Sequence, residues 1–370
     1  MSTGTYEYER FCDELGPAQV VHLHEPASGL RAIVVVDNVA CGVSLGGVRM
    51  APDVGVEEVF RLARAMTFKN AGAGLPHGGG KAGILADPRT VDRERLVRAF
   101  ARAIRTLTDY VPGPDMGTDE TCMAWIHDEI GRAVGLPRVI GGIPLDEIGA
   151  TGHGLRAAAE VAAPFCELDL AGARVAIEGL GNVGRPAARL LAERGAVLVA
   201  ASDSRGAVHD PDGLYVEALI AAKGREGSVT AYEGGTVISN EALFEVECDI
   251  MIPAARPDCI HDGNADRIQA RLILQGANIP ATATAEARLH ERGVLIVPDF
   301  IANAGGVICA AVEYRGGSEA GALAQVVEKV THNTREVLEA VESEGILPRE
   351  AADRMARHRV EAAMELRRKL

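Results

Sequence analysis

The chain has 370 residues, of which 47% are apolar and 4% aromatic, with a formal net charge of −14; that length predicts two cores rather than one. The acidic balance excludes non-specific nucleic-acid binding, which needs a basic surface to displace counterions, and no apolar run reaches the roughly eighteen residues of a membrane span. Seven cysteines with no C-x-x-C pair predict buried thiols in a reducing cytosol rather than disulfides or a zinc site. Residues 1–13 lack the basic-then-apolar order of a signal peptide, so a cytoplasmic location is expected.

In chain order, residues 5–16 predict a short helix, and Gln19–His24 and Leu30–Asp37 predict strands, the second rich in β-branched residues. His22 and His24 alternate to one face of the first strand, but no third ligand accompanies them, so no metal is expected. Leu45-Gly46-Gly47-Val48-Arg49-Met50 reads as a glycine turn. Over Val56–Ala71, Val59, Leu62, Ala63 and Met66 fall at helical spacing, with Lys69 near the C-terminal end, where a cation suits the helix dipole. Next comes Leu75-Pro76-His77-Gly78-Gly79-Gly80-Lys81. Three successive glycines are costly in entropy and belong where a backbone turns sharply or approaches another group closely. Lys81 then sits on a constrained backbone; the plainer reading is a glycine-rich turn leading into a strand, with a surface lysine. Arg93–Leu107 is an amphipathic helix with a basic outer face. The prolines and glycines of Tyr110–Thr118 put Asp115 in a rigid loop, unless it caps a helix over Asp119–Ala133.

In the second half, Ala150-Thr151-Gly152 opens a helix running to Ala163, with Thr151 as a plausible N-cap. The strand Ala173–Glu178 leads into Gly179-Leu180-Gly181-Asn182-Val183-Gly184, a helix to Arg194 follows, and the strand Val197–Ser202 ends at Asp203. A G-x-G-x-x-G between strand and helix, with an acid about twenty residues on, predicts a dinucleotide site. Its glycines serve the tight turn, the approach of the pyrophosphate and helix–strand packing, and the helix N-terminus faces the phosphates. Asp203 as acceptor for ribose hydroxyls favours NAD, whereas Ser204 and Arg205 could hold the 2′-phosphate of NADP; both cofactors stay open. Asp249–Ile252, Arg271–Leu274 and Val294–Val297 predict further strands, ending in Pro253-Ala254-Ala255, Gly276-Ala277-Asn278 and Pro298-Asp299. Ligands bind at the carboxyl ends of such strands, where Ala254 and Ala255 line the crevice and Asn278 and Asn303 offer amides. The expected fold is α/β: a substrate and catalytic domain over residues 1–145, with helices from about 319 to 370 returning to it, and a doubly wound Rossmann-type domain over 146–318.

These motifs, over about Leu45–Glu313, together resemble the amino-acid dehydrogenase family that includes the glutamate, leucine, valine and phenylalanine enzymes. The carriers are Lys69, the Gly78–Lys81 run, the Pro114-Asp115 loop, Ala150-Thr151-Gly152, the Gly179 fingerprint, Gly276-Ala277-Asn278 and Asn303-Ala304-Gly305-Gly306. His77, where methionine or leucine is usual, and Ala82, where glycine, serine or threonine is usual, depart from the pattern. The resemblance implies oxidative deamination of an L-amino acid to a 2-oxo acid and ammonia, using NAD or NADP, in a homo-oligomer (a hexamer or octamer). It assigns the α-carboxylate to Lys69, water activation to Lys81, proton transfer at nitrogen to Asp115, substrate orientation to Asn278 and the carboxamide to Thr151. Such a lysine needs its pKa pushed down by burial and a neighbouring cation, and chemistry shared between two domains needs closure. Glutamate-specific members carry a lysine where this chain has Leu45, before Gly46-Gly47, and a serine where it has Ala310. The expected substrate is therefore leucine, valine or phenylalanine, since an unpaired γ-carboxylate in an apolar pocket is costly. Glutamate is the alternative, because Ser202–Gly206 and Asp210–Gly213 are similar to certain glutamate enzymes. A catalytically silent homologue is disfavoured by the joint presence of Lys69, Lys81 and Asp115.

Overall fold

The computed structural model describes residues 7–367. The chain divides into two compact units: the first comprises residues up to Pro144, Val307–Ala322 and the chain from Asp353 onward; the second comprises Leu145–Gly306 and Leu323–Ala352.

The first unit holds strands β1 (Gln19–Glu25), β2 (Leu30–Asn38), β3 (Ser44–Ala51), β4 (Gly78–Leu85) and β5 (Tyr110–Pro114), in the order β1-β2-β4-β3-β5. β1, β2 and β4 pair antiparallel, and β3 runs parallel to β4 and to β5. Helix α1 (Val56–Gly72) covers one face, while α2 (Arg93–Ala103) and α3 (Glu120–Ile130) cover the other. β2 explains its own composition: Val34 and Val36 enter the core with Phe100 and Met123, while Ile33 and Val35 meet Val59 and Ala63 of α1. A strand buried on both faces has no reason to alternate in polarity.

The glycine turn expected at Leu45–Met50 is a strand, and of the two readings of Gly78–Gly80, sharp turn or close approach, the structure shows the close approach, within a strand. Gly78–Lys81 lies within β4, and Leu45–Met50 within β3. The glycines serve close approach: a Cβ on Gly79 would lie 2.0 Å from the Thr67 backbone nitrogen of α1. Asn70 of the same helix donates 2.7 Å to the Gly78 carbonyl, so α1 lies directly on the strand that carries Lys81. Of the helix expected over residues 5–16, the described part is a 3-10 turn, Glu7–Phe11; residues 5 and 6 lie outside the described residues. Four cysteines are buried as expected, but Cys12 is exposed, and Cys41 and Cys166 are half-buried.

The second unit carries α4 (Ala150–Ala162), β6 (Arg174–Glu178), α5 (Gly184–Ala192), β7 (Val197–Asp203), β8 (Gly206–His209), α6 (Val216–Glu226) and β9 (Thr236–Ile238). β10 (Ile250–Pro253), β11 (Leu272–Leu274), α7 (Ala283–Glu291), β12 (Leu295–Val297) and α8 (Asp299–Ala302) follow. The sheet order is β12-β11-β10-β6-β7-β8-β9, parallel from β12 to β7 and antiparallel at β8 and β9. The chain steps from β6 to β7 on one side and later returns to β10 on the other. The reversal of strand order therefore falls between β6 and β10, at the end that carries Gly179 and Ala254-Ala255, the crevice where such sheets bind ligands.

Helices α9 (Gly305–Tyr314), α10 (Glu319–Glu344) and α11 (Pro348–Glu365) close the chain. They are shared between the units differently from the expected division at 146–318 and 319–370. Glu313 of α9 accepts from the Leu136 and Ile143 amides at 3.0 and 2.8 Å in the first unit. Arg349, at the start of α11, is fixed in the second: it donates to both Glu286 oxygens at 2.7 Å, to Asp299 at 3.0 Å and to Gln275 at 2.9 Å. Breaking a buried ion network by removing one partner strands the others. Arg349→Met is expected to lower stability by about 3 kcal/mol, read as a fall of roughly 5–10 °C in the calorimetric midpoint; an unchanged midpoint would show the network to be energetically idle.

Candidate active site

Lys81 leaves β4, crosses β3 and meets Asp115 just beyond the end of β5; its Nζ lies 2.7 Å from Asp115 Oδ2, and its side chain is only 7% exposed. The crossing depends on Gly47, because a Cβ there would lie 2.7 Å from Asp115 Cβ and 3.2 Å from Lys81 Nζ. Two residues along β3, on the same face, Arg49 donates through Nε to Asp115 Oδ2 at 3.0 Å and pairs through its other end with Glu58. Asp115 is held by its loop: its amide donates 3.0 Å to the Thr118 hydroxyl, which donates 2.8 Å to the Val48 carbonyl. The N-cap of α3 is Asp119, whose side chain accepts from the Cys122 amide at 3.0 Å; Asp115 is free of that duty.

Burial pushes the Lys81 ammonium below the ordinary lysine range, against the opposing pull of Asp115, and the positive charge of Arg49 adds to the lowering. Burial also opposes ionisation of Asp115, but Lys81 and Arg49 outweigh it and hold the carboxyl below the usual range. The site thus keeps an ionised carboxylate beside a lysine disposed to lose its proton.

Lys69 occupies the last turn of α1, as expected, and is half-buried. Leu45 and Ala310, far apart in sequence, share one apolar cluster with Val43, Met66, Val111 and Val134. His77 is buried, with Nδ1 3.1 Å from the Val43 carbonyl, Nε2 without a partner and its ring edge-on to Tyr314. Burial lowers its pKa, so it brings no cation to that cluster at neutral pH. His22 and His24 stand exposed on β1, and no metal-binding group of His, Cys, Asp and Glu forms among the described residues. None of the described helices is long and apolar enough to cross a membrane.

In the second unit, Gly179 has φ 93°, a conformation open to glycine. A Cβ on Gly184 would lie 2.1 Å from the Gly179 carbonyl oxygen, whereas one on Gly181 would meet nothing within 4 Å. The third glycine therefore serves packing, and the second leaves open space before the first turn of α5, the arrangement a pyrophosphate needs. Asn182 is exposed and bonds Asp146 at 3.0 Å, and Val183 is the N-cap residue of α5. The Ala254 amide donates to the Glu178 carbonyl at 2.7 Å and that of Ala255 to the Glu178 carboxylate at 3.0 Å; burial raises the pKa of that carboxyl. Asn303 pins the other wall, donating to the Gly276 and Ala277 carbonyls at 3.3 and 3.2 Å and to Asn278 Oδ1 at 3.1 Å.

Two expectations here are corrected. Thr151 is not the N-cap of α4: Gly149 holds that position with φ 65°, and Thr151 lies within the first turn. Asp203 does not present a free carboxylate: Oδ1 accepts from the Arg205 amide of its own loop and the Ser228 hydroxyl, and Oδ2 accepts from the Val229 amide and meets Lys223 of α6. Reading β3 as a turn hid Arg49 and Glu58; alternation along a strand would have put Arg49 beside Gly47 and so beside Lys81.

The sequence profile described as Glutamate/Leucine/Phenylalanine/Valine dehydrogenase matches residues 141–368, and that of the Glu/Leu/Phe/Val dehydrogenase dimerisation domain matches residues 17–132. The chain belongs to this family. It is an NAD(P)-dependent amino-acid dehydrogenase, an oxidoreductase acting on a CH–NH2 group. It is 42% identical over 284 residues to the NADP-specific glutamate dehydrogenase A1 of Halobacterium salinarum, covering 73% of this chain and 68% of that protein. It is 40% identical over 318 residues to the NAD-specific glutamate dehydrogenase of Staphylococcus aureus (strain COL), covering 82% and 76%. Among solved structures, a hetero-hexameric glutamate dehydrogenase from Thermus thermophilus, in a Leu-bound form, superposes with a TM-score of 0.82 at 30% identity, covering 96% of this chain and 91% of that one.

Proposed function

We propose that this dehydrogenase interconverts L-glutamate with 2-oxoglutarate and ammonia, with Lys81 and Asp115 as its acid–base pair. The observation that carries the chemistry is the buried Lys81–Asp115 contact of 2.7 Å, flanked by Arg49. When bound, the nicotinamide supplies the hydride acceptor. The chain's own residues do the rest. Lys69 holds the α-carboxylate, Asp115 moves protons at the substrate nitrogen, and Lys81 in its neutral form takes a proton from the water that adds to the imine carbon. Asn278 orients the substrate, and Thr151 meets the carboxamide. Assembly as a homo-oligomer, hexameric or octameric, is read by light scattering after gel filtration.

Glutamate is supported by relatives near 40% identity that are named for it. A second reading, an aliphatic or aromatic amino acid, is favoured by Leu45 and Ala310, which pack in one apolar cluster with Val43, Met66, Val111 and Val134. The test is a panel of L-amino acids with the wild type and the Leu45→Lys/Ala310→Ser double variant. We expect wild-type kcat/KM to be highest on glutamate, with the double variant changing it by less than about threefold because the γ-carboxylate is met away from Leu45. Under the second reading the wild type prefers leucine, valine or phenylalanine. The double variant then gains on glutamate by about tenfold or more, since rejection rests on leaving a buried charge without a partner.

A further inference from the structure

Ile279 follows Asn278 in the loop beyond the carboxyl end of β11 and has φ 47°. Two rules of local geometry put such a residue elsewhere. A β-branched side chain is rarely found at positive φ, and a residue before proline, here Pro280, is pushed to an extended backbone. The Ile279 side chain is 60% exposed, so core packing does not hold the backbone there. Strain of this kind persists where surrounding groups over-determine it, and it gathers at functional sites.

Both backbone groups of Ile279 are held. Its amide donates to Asp299 Oδ2 at 2.9 Å, and its carbonyl accepts from the Asp258 amide at 3.0 Å. Asp299 is itself braced, with its side chain 8% exposed. Its Oδ1 accepts from Arg349 Nη1 at 3.0 Å, and its amide donates to Gln275 Oε1 at 2.9 Å. Gln275 opens the same loop, and its Nε2 donates to Glu286 Oε1 at 2.7 Å. The segment from Gln275 to Ile279 is therefore fastened at both ends to the Arg349 network. Between those ends, Asn278 Oδ1 accepts from Asn303 at 3.1 Å. Pro280 is fixed on the far side, its carbonyl accepting from the Ile260 amide at 2.9 Å. Rotation of Ile279 to negative φ would then swing the Asn278–Ile279 peptide away from Asp299 and turn Asn278 with it.

We infer that Asp299 is a positioning residue for the dehydrogenase reaction: it holds Ile279 at positive φ and so fixes where Asn278 points. This rests on the reading of Asn278 as the group that orients the substrate, and Asn278→Ala tests that reading separately. The experiment uses the full-length protein and the amino acid that the wild type turns over best. It measures kcat, kcat/KM and the melting temperature for the wild type, Asn278→Ala, Asp299→Asn, Ile279→Gly and the Asp299→Asn/Ile279→Gly double variant.

Asp299→Asn is isosteric, but its one carbonyl oxygen can serve Arg349 or Ile279 and not both. It should lower kcat/KM by about 10- to 100-fold, the scale of a misplaced positioning group, at temperatures well below its melting. Ile279→Gly should stay within about twofold of the wild type and melt no lower, because relief of strain offsets the entropy that glycine adds to the unfolded chain. Glycine adopts positive φ without being held, so the double variant should recover to within about fivefold of the wild type. A residue needed for folding alone would instead lower the melting temperature and leave kcat unchanged. Wild-type kinetics in Asn278→Ala remove the reading of Asn278 and the inference with it. With Asn278→Ala impaired, the inference alone is overturned by Asp299→Asn within twofold of the wild type, or by a double variant as slow as Asp299→Asn. It is also overturned if Ile279→Gly melts more than about 2 °C lower, the mark of a glycine placed where no strain existed. If Asp299→Asn does not fold alone, a folded and active double variant upholds the inference and an unfolded one overturns it.

Discussion

Lys81→Ala is expected to lower kcat for oxidative deamination by about 10³-fold or more, towards the upper end of what a positioned acid–base group contributes, while NADH or NADPH still binds and the protein stays folded. Asp115 keeps Arg49 as a partner at 3.0 Å when the lysine is gone, so the loss is that of a proton acceptor and not of a whole ion network. The wild-type pH profile carries the same argument. Deamination needs the neutral amine, and burial holds the Lys81 pKa below the ordinary 10.5. Activity therefore rises with pH through a limb centred below that value, and this limb disappears in Lys81→Ala. Arg49→Gln supplies the sign test. Arg49 is one of the groups that lower the Lys81 pKa, so its removal should move the rising limb to higher pH. A limb that stays put in Arg49→Gln, or deamination near wild-type rate in Lys81→Ala, would remove Lys81 from the acid–base role.

Much of this site is legible in the sequence, and what is not has physical reasons. The fingerprint at Gly179 reads correctly because its three glycines, strand and helix all act over a few residues. Lys69 on α1 reads correctly because helical periodicity is local. The glycines at Gly46 and Gly47 misread as a turn, and those at Gly78–Gly80 leave turn and close approach undecided, because a glycine needed for close approach looks, in sequence, like a glycine needed for a bend. The atoms that decide between them lie far along the chain: Thr67 for Gly79, and Asp115 for Gly47. Val307–Ala322 and Leu323–Ala352 belong to different units, and Glu313 and Arg349, which bond within the first and the second, sit on helices whose spacing alone names no partner. Asp203 is the same kind of case. Its place after β7 marks it as a ribose ligand, and only the donors on Ser228, Val229 and Lys223 show that its oxygens are in use.

Asp115→Asn is the complementary test, because it keeps shape and removes one charge. Turnover should fall by roughly 10²–10⁴-fold, the span of a lost acid–base group, with dinucleotide affinity unchanged. The fold should survive: the Asp115 backbone still bonds Thr118, and α3 keeps its cap at Asp119. Arg49 retains Glu58. Lys81 is left as a buried amine without its counter-ion, and a lysine in that position can shed its proton and its desolvation cost together. The sign of the residual activity follows. Asp115 is the partner that raises the Lys81 pKa against burial, so its neutralisation should let that pKa fall further and move the rising limb to lower pH, opposite to Arg49→Gln. Arg49 and Lys81 bond the same Asp115 oxygen, and opposite shifts on removing the cation and on neutralising the carboxylate would locate the titrating group at Lys81. A loss of cooperative folding in Asp115→Asn, or a limb that moves the same way in both variants, would instead make Asp115 a structural anchor and leave the proton at the substrate nitrogen to another group.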